Sequence, residues 1–127
     1  MILGILLILC ALFIVYVEGV QPFAIWNCVP VAIVYLIIRV ALKKAEGVWR
    51  NMPLSRRMGL IGFSIFTLAF TLFLHFAWLF DLGQIATSSS TSALIFIFIP
   101  PYSLAAGGIG LFIGWLLGRG ISYTIQR

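Results

Sequence analysis

The chain has 127 residues, of which 63% are hydrophobic and only 9% are charged, and its mean hydropathy is +1.19. A soluble domain of this size cannot hide so much apolar surface, so these values exclude an ordinary water-soluble fold and predict an integral membrane protein. In lipid only helices and closed barrels satisfy the backbone, and continuous apolar runs without alternation favour helices.

The apolar runs predict an all-α bundle of four transmembrane helices that forms a single domain over the whole chain. Each run comes close to the roughly 20 residues that cross a bilayer core. The predicted helices cover residues 2–17, 22–42, 58–80 and 93–117. The first is the shortest. It has no basic residues before it and no cleavage site after it, as a signal peptide would have, so we expect it to be retained.

The three connections differ in polarity. The first, residues 18–21, is followed by Pro22, which suits the first turn of a helix, and it predicts a tight hairpin. The second, residues 43–57, is basic and polar and is predicted to be the main cytoplasmic loop. The third, residues 81–92, has no Lys or Arg and ends in hydroxyl residues that suit a helix N-cap, so it is predicted to face outward.

The basic residues set the predicted orientation. If four helices span, every Lys and Arg falls on one side: Arg39, Lys43, Lys44, Arg50, Arg56, Arg57, Arg119 and Arg127. Positive charge marks the cytoplasmic side, so we predict a multi-pass protein of the inner (plasma) membrane with both termini in the cytoplasm. The net charge of +5 is therefore a topology signal and does not indicate a nucleic-acid partner.

Polar residues of the third helix recur at spacings of three and four, which places them on one face: Ser64, Thr67, Thr71, His75 and Trp78. That face is expected to point into the protein. The hydroxyls would then bond to carbonyls of their own helix or to a neighbouring helix. The alternative is a polar path with His75 as a titrating group. The first interpretation is favoured, because the stripe has no charged partner at a fixed helical spacing.

A small polar cluster is predicted near the outer surface. Asn27 lies five residues inside Pro22, and His75 lies six residues inside Asp81, so the two side chains are expected at similar depth. With Glu18 and Asp81 above them and Thr71 one turn below His75, they would form a cluster that opens outward. The simpler interpretation is one interhelical hydrogen bond beneath two solvated acids.

Small residues in the fourth helix predict close helix packing. Gly110, Gly114 and Gly118 form a GxxxGxxxG ridge, along which another helix can approach closely. The partner can be an internal helix or a second protomer, and the spacing does not choose between them. Pro100-Pro101, earlier in the same helix, predicts a kink or a break, of which the kink is favoured.

The segment STSALIFIFIPPYSLAAGGIG, residues 90–110, resembles a segment of small bacterial inner-membrane proteins. The resemblance implies a membrane location and carries no activity, ligand or site residue with it.

No motif in the sequence indicates catalysis or a bound cofactor. We find no nucleophile with a base at a characteristic spacing, no phosphate-binding glycine loop and no paired intramembrane carboxylates. Cys10 and Cys28 lie in apolar segments without the spacing of a zinc site or a disulfide framework. We therefore expect a protein that is not an enzyme, binds no metal or cofactor, and has the lipid bilayer as its main partner.

Three functional hypotheses follow. The first is an accessory or oligomeric protein that associates with itself or with another membrane protein through the fourth helix. The second is an immunity protein against a membrane-active toxin, which only size and class suggest. The third is a small channel or transporter that uses the polar stripe of the third helix.

Overall fold

The computed structural model describes residues 2–84 and 94–125 of the chain. Within these ranges the protein is all-helical and has no β-strand. The helices are α1 (Ile2–Glu18), α2 (Pro22–Asn27), α3 (Val29–Lys44), α4 (Leu54–Leu79) and α5 (Ile95–Ile125), with short 3₁₀ turns at Trp49–Asn51 and Leu82–Gln84. Most of the third predicted connection, namely residues 85–92, lies outside the described residues, and so does Arg127.

Three helical stretches are long and apolar enough to cross a membrane: Pro22–Lys44, Leu54–Leu79 and Ile95–Thr124. The first of these contains both α2 and α3. The remaining helix, α1, has 17 residues and is also apolar, but it is shorter. The four helical segments pack side by side as a bundle, with α4 in contact with α1, α3 and α5.

The observed helices extend beyond the predicted apolar runs. α3 continues through Lys44, α4 begins at Leu54 directly after Pro53, and α5 continues to Ile125. The predicted loop 43–57 is therefore shorter. Lys43 and Lys44 belong to the last turn of α3, where positive charge interacts favourably with the helix dipole. Helical hydrogen bonding does not stop where the apolar run stops, so the boundaries drawn from hydropathy were too narrow.

Two of the predicted helices contain proline, with different results. The predicted second helix is divided at Cys28, because Pro30 has no N–H to donate to the Trp26 carbonyl. In contrast, α5 runs without a break through Pro100 and Pro101. Pro101 leaves the carbonyl of Ile97 without its helical donor, and the indole N–H of Trp26 donates to that oxygen at 3.1 Å. A side chain of α2 therefore replaces the missing backbone bond.

The glycine ridge of α5 packs against α4 of the same chain. A Cβ atom built on Gly114 would overlap the carbonyl oxygen of Met58, and one on Gly110 would overlap the carbonyl oxygen of Gly62. A Cβ on Gly118 would lie 2.5 Å from the Cα atom of Ser55. The backbones of α4 and α5 thus touch directly, and Gly62 of α4 contributes from the opposite side. The partner that the spacing left open is an internal helix.

The other side of α4 packs on α1 and α3 through apolar side chains. Buried residues of this core come from α1, α3 and α4 and include Leu7, Ile14, Val34, Ile38, Phe63 and Leu68. The outward-facing side chains of α1 are also apolar: Ile8, Leu9 and Leu12 are 60 to 62% exposed. An apolar exterior around an apolar core is typical of a protein whose solvent is lipid.

Candidate functional site

The polar stripe of α4 faces the interior of the bundle, as its spacing predicts. Ser64, Thr67, Thr71 and His75 are all buried, and Thr67 and His75 are 0% exposed. Two of the hydroxyls bond back to their own helix: Ser64 donates to the Leu60 carbonyl at 2.8 Å, and Thr71 Oγ1 lies 2.9 Å from the Thr67 carbonyl oxygen. Such bonds satisfy hydroxyl groups at membrane depth without a second helix.

His75 makes a short contact with the carboxyl group of a residue from another helix. Glu18 is the last residue of α1, and its Oε1 lies 2.6 Å from His75 Nε2. Both side chains are 0% exposed. After Glu18 the chain turns through Gly19, which has a φ of 77°, and the Gln21 side chain donates to the Glu18 carbonyl oxygen at 2.6 Å. This turn ends α1 with the carboxylate directed into the bundle.

α2 supplies a further donor to the same oxygen. Asn27 Nδ2 donates to Glu18 Oε1 at 2.8 Å, and the Asn27 residue is 0% exposed. The first turns of α2 follow directly from the α1 hairpin, so Glu18 and Asn27 meet although α1 and α2 run in opposite directions. Three helices, α1, α2 and α4, therefore converge on one carboxylate oxygen.

The hydrogen bonds of His75 fix the position of its hydrogen. His75 Nδ1 lies 2.7 Å from the Thr71 carbonyl oxygen, which can only accept, so Nδ1 carries a hydrogen. If Nε2 and Glu18 Oε1 were both unprotonated, two lone pairs would face each other at 2.6 Å. One hydrogen must therefore lie between Nε2 and Oε1, either on an imidazolium facing a carboxylate or on a carboxylic acid facing a neutral imidazole.

The cluster has more acceptors than donors. Glu18 Oε2, Asn27 Oδ1 and Thr67 Oγ1 are buried and find no hydrogen-bond partner among the described residues. A buried acceptor without a donor costs on the order of 1 to 3 kcal/mol. Since Oε2 and Oδ1 belong to side chains that already contact each other, an added proton or a water molecule would supply the missing hydrogen. Glu18 Oε2 and Asn27 Oδ1 therefore remain able to accept a hydrogen bond.

α5 closes the inner side of the cluster. Thr71 Oγ1 lies 2.9 Å from the hydroxyl oxygen of Ser103, which is 0% exposed. The ring of Phe96 lies 5.8 Å from the His75 ring and makes an edge contact with Trp78 at 4.7 Å between centroids. Aromatic rings at this position cover the histidine, while the Ser103 hydroxyl continues the polar contact from α4 to α5.

The structure brings together four of the five residues predicted for the outer cluster: Glu18, Asn27, Thr71 and His75. The fifth, Asp81, lies six residues beyond His75 in the turn after α4 and is partly buried. The expected solvation of Glu18 was wrong, because the hairpin directs its carboxylate inward and the histidine holds it there. His75 does have an ionisable partner, Glu18. This partner lies on another helix, so the helical spacing of α4 could not reveal it.

Ser103 and Phe96 were not predicted as part of the site. The only signal for Ser103 was a hydroxyl two residues after Pro101 in an apolar segment.

Comparison of the chain with protein-family models, with curated proteins and with solved structures finds no match. In the described part of the chain, no three His, Cys, Asp or Glu side chains group as a metal site would require.

Proposed function

We propose that this protein is a multi-pass protein of the inner (plasma) membrane, crossed by α1, by α2 with α3, by α4 and by α5. Both termini are cytoplasmic. The length and apolar exterior of the helices support membrane insertion, and the separation of charges supports the orientation. Lys43, Lys44, Arg50, Arg56 and Arg57 cluster at the connection between α3 and α4, and Glu18 and His75 lie at the opposite end.

Reporter fusions test this topology. Fusions after Val20 and Gln84 are expected to report an external location, and fusions after Arg50 and Arg127 a cytoplasmic one. An external Arg127 together with a cytoplasmic Arg50 would mean that α4 or α5 does not span, and the four-span proposal would fail.

Within this membrane bundle, we propose that the protein works as a small proton-coupled channel or transporter and not as an enzyme. The observation that carries the proposal is the buried Glu18–His75 pair, which must hold one hydrogen between its two facing atoms. Ionisable residues at membrane depth are costly, and where they occur they commonly serve proton or ion pathways. The unpaired acceptors Glu18 Oε2 and Asn27 Oδ1 give a second proton or a water molecule a place to bind.

The polar stripe extends from this pair toward the cytoplasmic end. From His75 to Ser64 the buried side chains of α4 span 11 residues, or about 16 Å of helix. Thr67 Oγ1, midway along the stripe, has no hydrogen-bond partner among the described residues and is free to bond a water molecule. Hydroxyl groups of the stripe therefore lie next to a proton held at His75, on the side toward the cytoplasm.

His75 is the only histidine in the chain, so a single ¹⁵N-histidine label reports this site alone. In lipid bilayers we expect Nδ1 to carry a hydrogen and Nε2 to show a strong hydrogen bond. Glu18→Gln should remove the strong bond at Nε2 and leave Nδ1 protonated. An Nδ1 that loses its hydrogen in the wild type would contradict the shared-proton arrangement.

Proton flux tests the function itself. Proteoliposomes with an imposed pH gradient and an internal pH-sensitive dye should dissipate the gradient at least tenfold faster than His75→Gln or Thr71→Val proteoliposomes. The control is Ser122→Ala, which removes a hydroxyl that bonds only its own helix near the far end of α5. If wild type, His75→Gln and empty liposomes give the same rate across several candidate solutes, the transport proposal fails.

The association hypothesis loses its proposed surface. The ridge of Gly110, Gly114 and Gly118 lies against α4 within the chain, so an assembly would have to use another face.

A further inference from the structure

A groove lies between α1, α3 and α4 at the end of the bundle opposite the Glu18–His75 pair. Its volume is about 550 Å³, and its walls include Leu6 of α1, Ile38 and Leu42 of α3, Trp49 of the connection, and Ile61 and Ile65 of α4. The one hydroxyl on the wall belongs to Ser64, and it already donates to the Leu60 carbonyl. The groove therefore offers nothing to a polar ligand and suits an alkyl chain.

A basic residue lies on α4 one turn before the groove wall. Arg57 precedes the wall residues Leu60 and Ile61 by three and four positions on α4, which places it on the same face, one turn nearer the α3–α4 connection. Arg57 Nε is buried and has no hydrogen-bond partner among the described residues. A guanidinium N–H without an acceptor is unusual, because each missing bond to a charged group is costly.

A pocket with two basic residues on its wall adjoins the groove. Arg39 and Lys43, one turn apart on α3, line a cavity of about 440 Å³ that shares Leu42 with the groove. The guanidinium of Arg39 lies 5.7 Å from the centre of the Tyr35 ring, which holds it against the helix. Basic side chains therefore lie on α3 beside Leu42 and on α4 one turn before Leu60 and Ile61, on two of the helices that form the groove.

We propose that this groove binds an anionic phospholipid, with one acyl chain against the leucine and isoleucine walls and the phosphate at Arg57, near Arg39 and Lys43. A phospholipid carries both groups that these features suit: an alkyl chain for the apolar groove and an anionic phosphate for the basic residues. Guanidinium groups match the geometry of phosphate oxygens, and basic pockets on the cytoplasmic side of membrane proteins suit anionic headgroups. Trp49, on the groove wall, supplies the amphipathic ring that favours the headgroup level.

The inference depends on the proposed membrane insertion and orientation, but not on proton binding at Glu18 and His75. Its test is therefore separate from the flux measurement. The full-length protein in mild detergent is titrated with phosphatidylglycerol that carries bromine on its acyl chains. Bromine quenches a nearby tryptophan, and Trp49 is the tryptophan on the groove wall. We expect saturable quenching that is lost in Trp49→Phe.

Matched charge variants locate the headgroup. Arg57→Gln should weaken binding about fivefold, as expected for losing one basic contact to an anionic lipid. Arg56→Gln removes the same charge from the adjacent, exposed position and should leave the affinity within about twofold of wild type. Brominated phosphatidylcholine should bind more weakly than phosphatidylglycerol, and inorganic phosphate should not displace the lipid.

Three results would overturn the proposal. Equal effects of Arg56→Gln and Arg57→Gln would mean a diffuse charge effect without a site. Equal quenching by the two lipids would mean that no headgroup is recognised. Displacement by inorganic phosphate alone would mean a free-anion site that does not use the groove. A protein that inserts in membranes and shows proton flux but fails these tests would retain the proposed function and lose the lipid site.

Discussion

The two sides of α4 are built in opposite ways. Toward α5 the helix presents backbone, and Gly62 lies against Gly110 so closely that neither position has space for a methyl group. Toward α1 and α2 it presents His75, which reaches a carboxylate and, through it, an amide. The first interface is dominated by close contact between small residues, with one hydroxyl contact between Thr71 and Ser103, and the second by a few strong polar bonds.

In the proposed lipid environment, where water expulsion contributes little, the two interfaces join helices in different ways. Between α4 and α5 the attraction comes from dispersion over many short contacts, which depend on shape and are intolerant of added atoms. Between α4 and the α1–α2 hairpin it comes from the bond between His75 and Glu18, two ionisable side chains that are costly to bury without each other. The first interface leaves no space for added atoms along its glycine ridge. The second retains unpaired acceptors, and so it is the one suited to chemistry.

The largest effect should come from enlarging the small-residue interface. Gly114→Leu would force a side chain into the carbonyl of Met58, so we expect α4 and α5 to separate and folded protein to be lost. Yield and thermal stability in one detergent measure the loss. Phe112→Ala should be mild, since Phe112 is 58% exposed on another face of the helix.

Gly108 provides the matched control on α5. A Cβ built there meets nothing within 4 Å, so Gly108→Ala should be neutral or stabilise the helix by up to about 1 kcal/mol. Gly108→Ala and Gly114→Leu with equal stability would mean that α5 packs by a different face.

The polar interface should respond to loss of either partner and recover partly when both are removed. His75→Leu leaves the Glu18 carboxylate buried without its partner and should lower the free energy of unfolding by about 3 kcal/mol. Glu18→Leu should have a similar effect. The double variant should be more stable than the sum of the two losses predicts, because it leaves no buried charge. Denaturation in mixed micelles measures all four proteins of the cycle.

A control for that cycle is Phe73→Leu, two residues before His75 and 62% exposed, which should change stability little. Strictly additive losses from Glu18→Leu and His75→Leu would show that the two side chains do not interact.

The smallest effect concerns the bond that replaces a backbone hydrogen bond at the proline pair. Trp26→Phe removes the N–H that reaches the Ile97 carbonyl and should cost about 1 kcal/mol. In a Pro101→Ala background the helix supplies its own N–H to that carbonyl, so the same change should cost close to nothing. An equal cost in both backgrounds would mean that Trp26 acts through packing alone.

Much of the architecture could be read from local pattern. The apolar runs predicted helices at each observed position, because lipid requires every helix to satisfy its own backbone. The spacing of Ser64, Thr67, Thr71 and His75 predicted a buried face, and the spacing of Gly110, Gly114 and Gly118 predicted a close helix contact. These features depend on the 3.6-residue repeat within one helix, and that repeat is visible in the sequence.

What the sequence could not determine were the contacts between helices. Whether the glycine ridge met α4 or a second protomer depended on how α5 packs in the bundle. Whether Glu18 faced solvent or His75 depended on how the hairpin at Gly19 directs α1 and α2 against α4. The 57 positions that separate Glu18 and His75 carry no periodic signal. Helical spacing determines which side chains share a face, and only the packing of the faces determines which of those side chains touch.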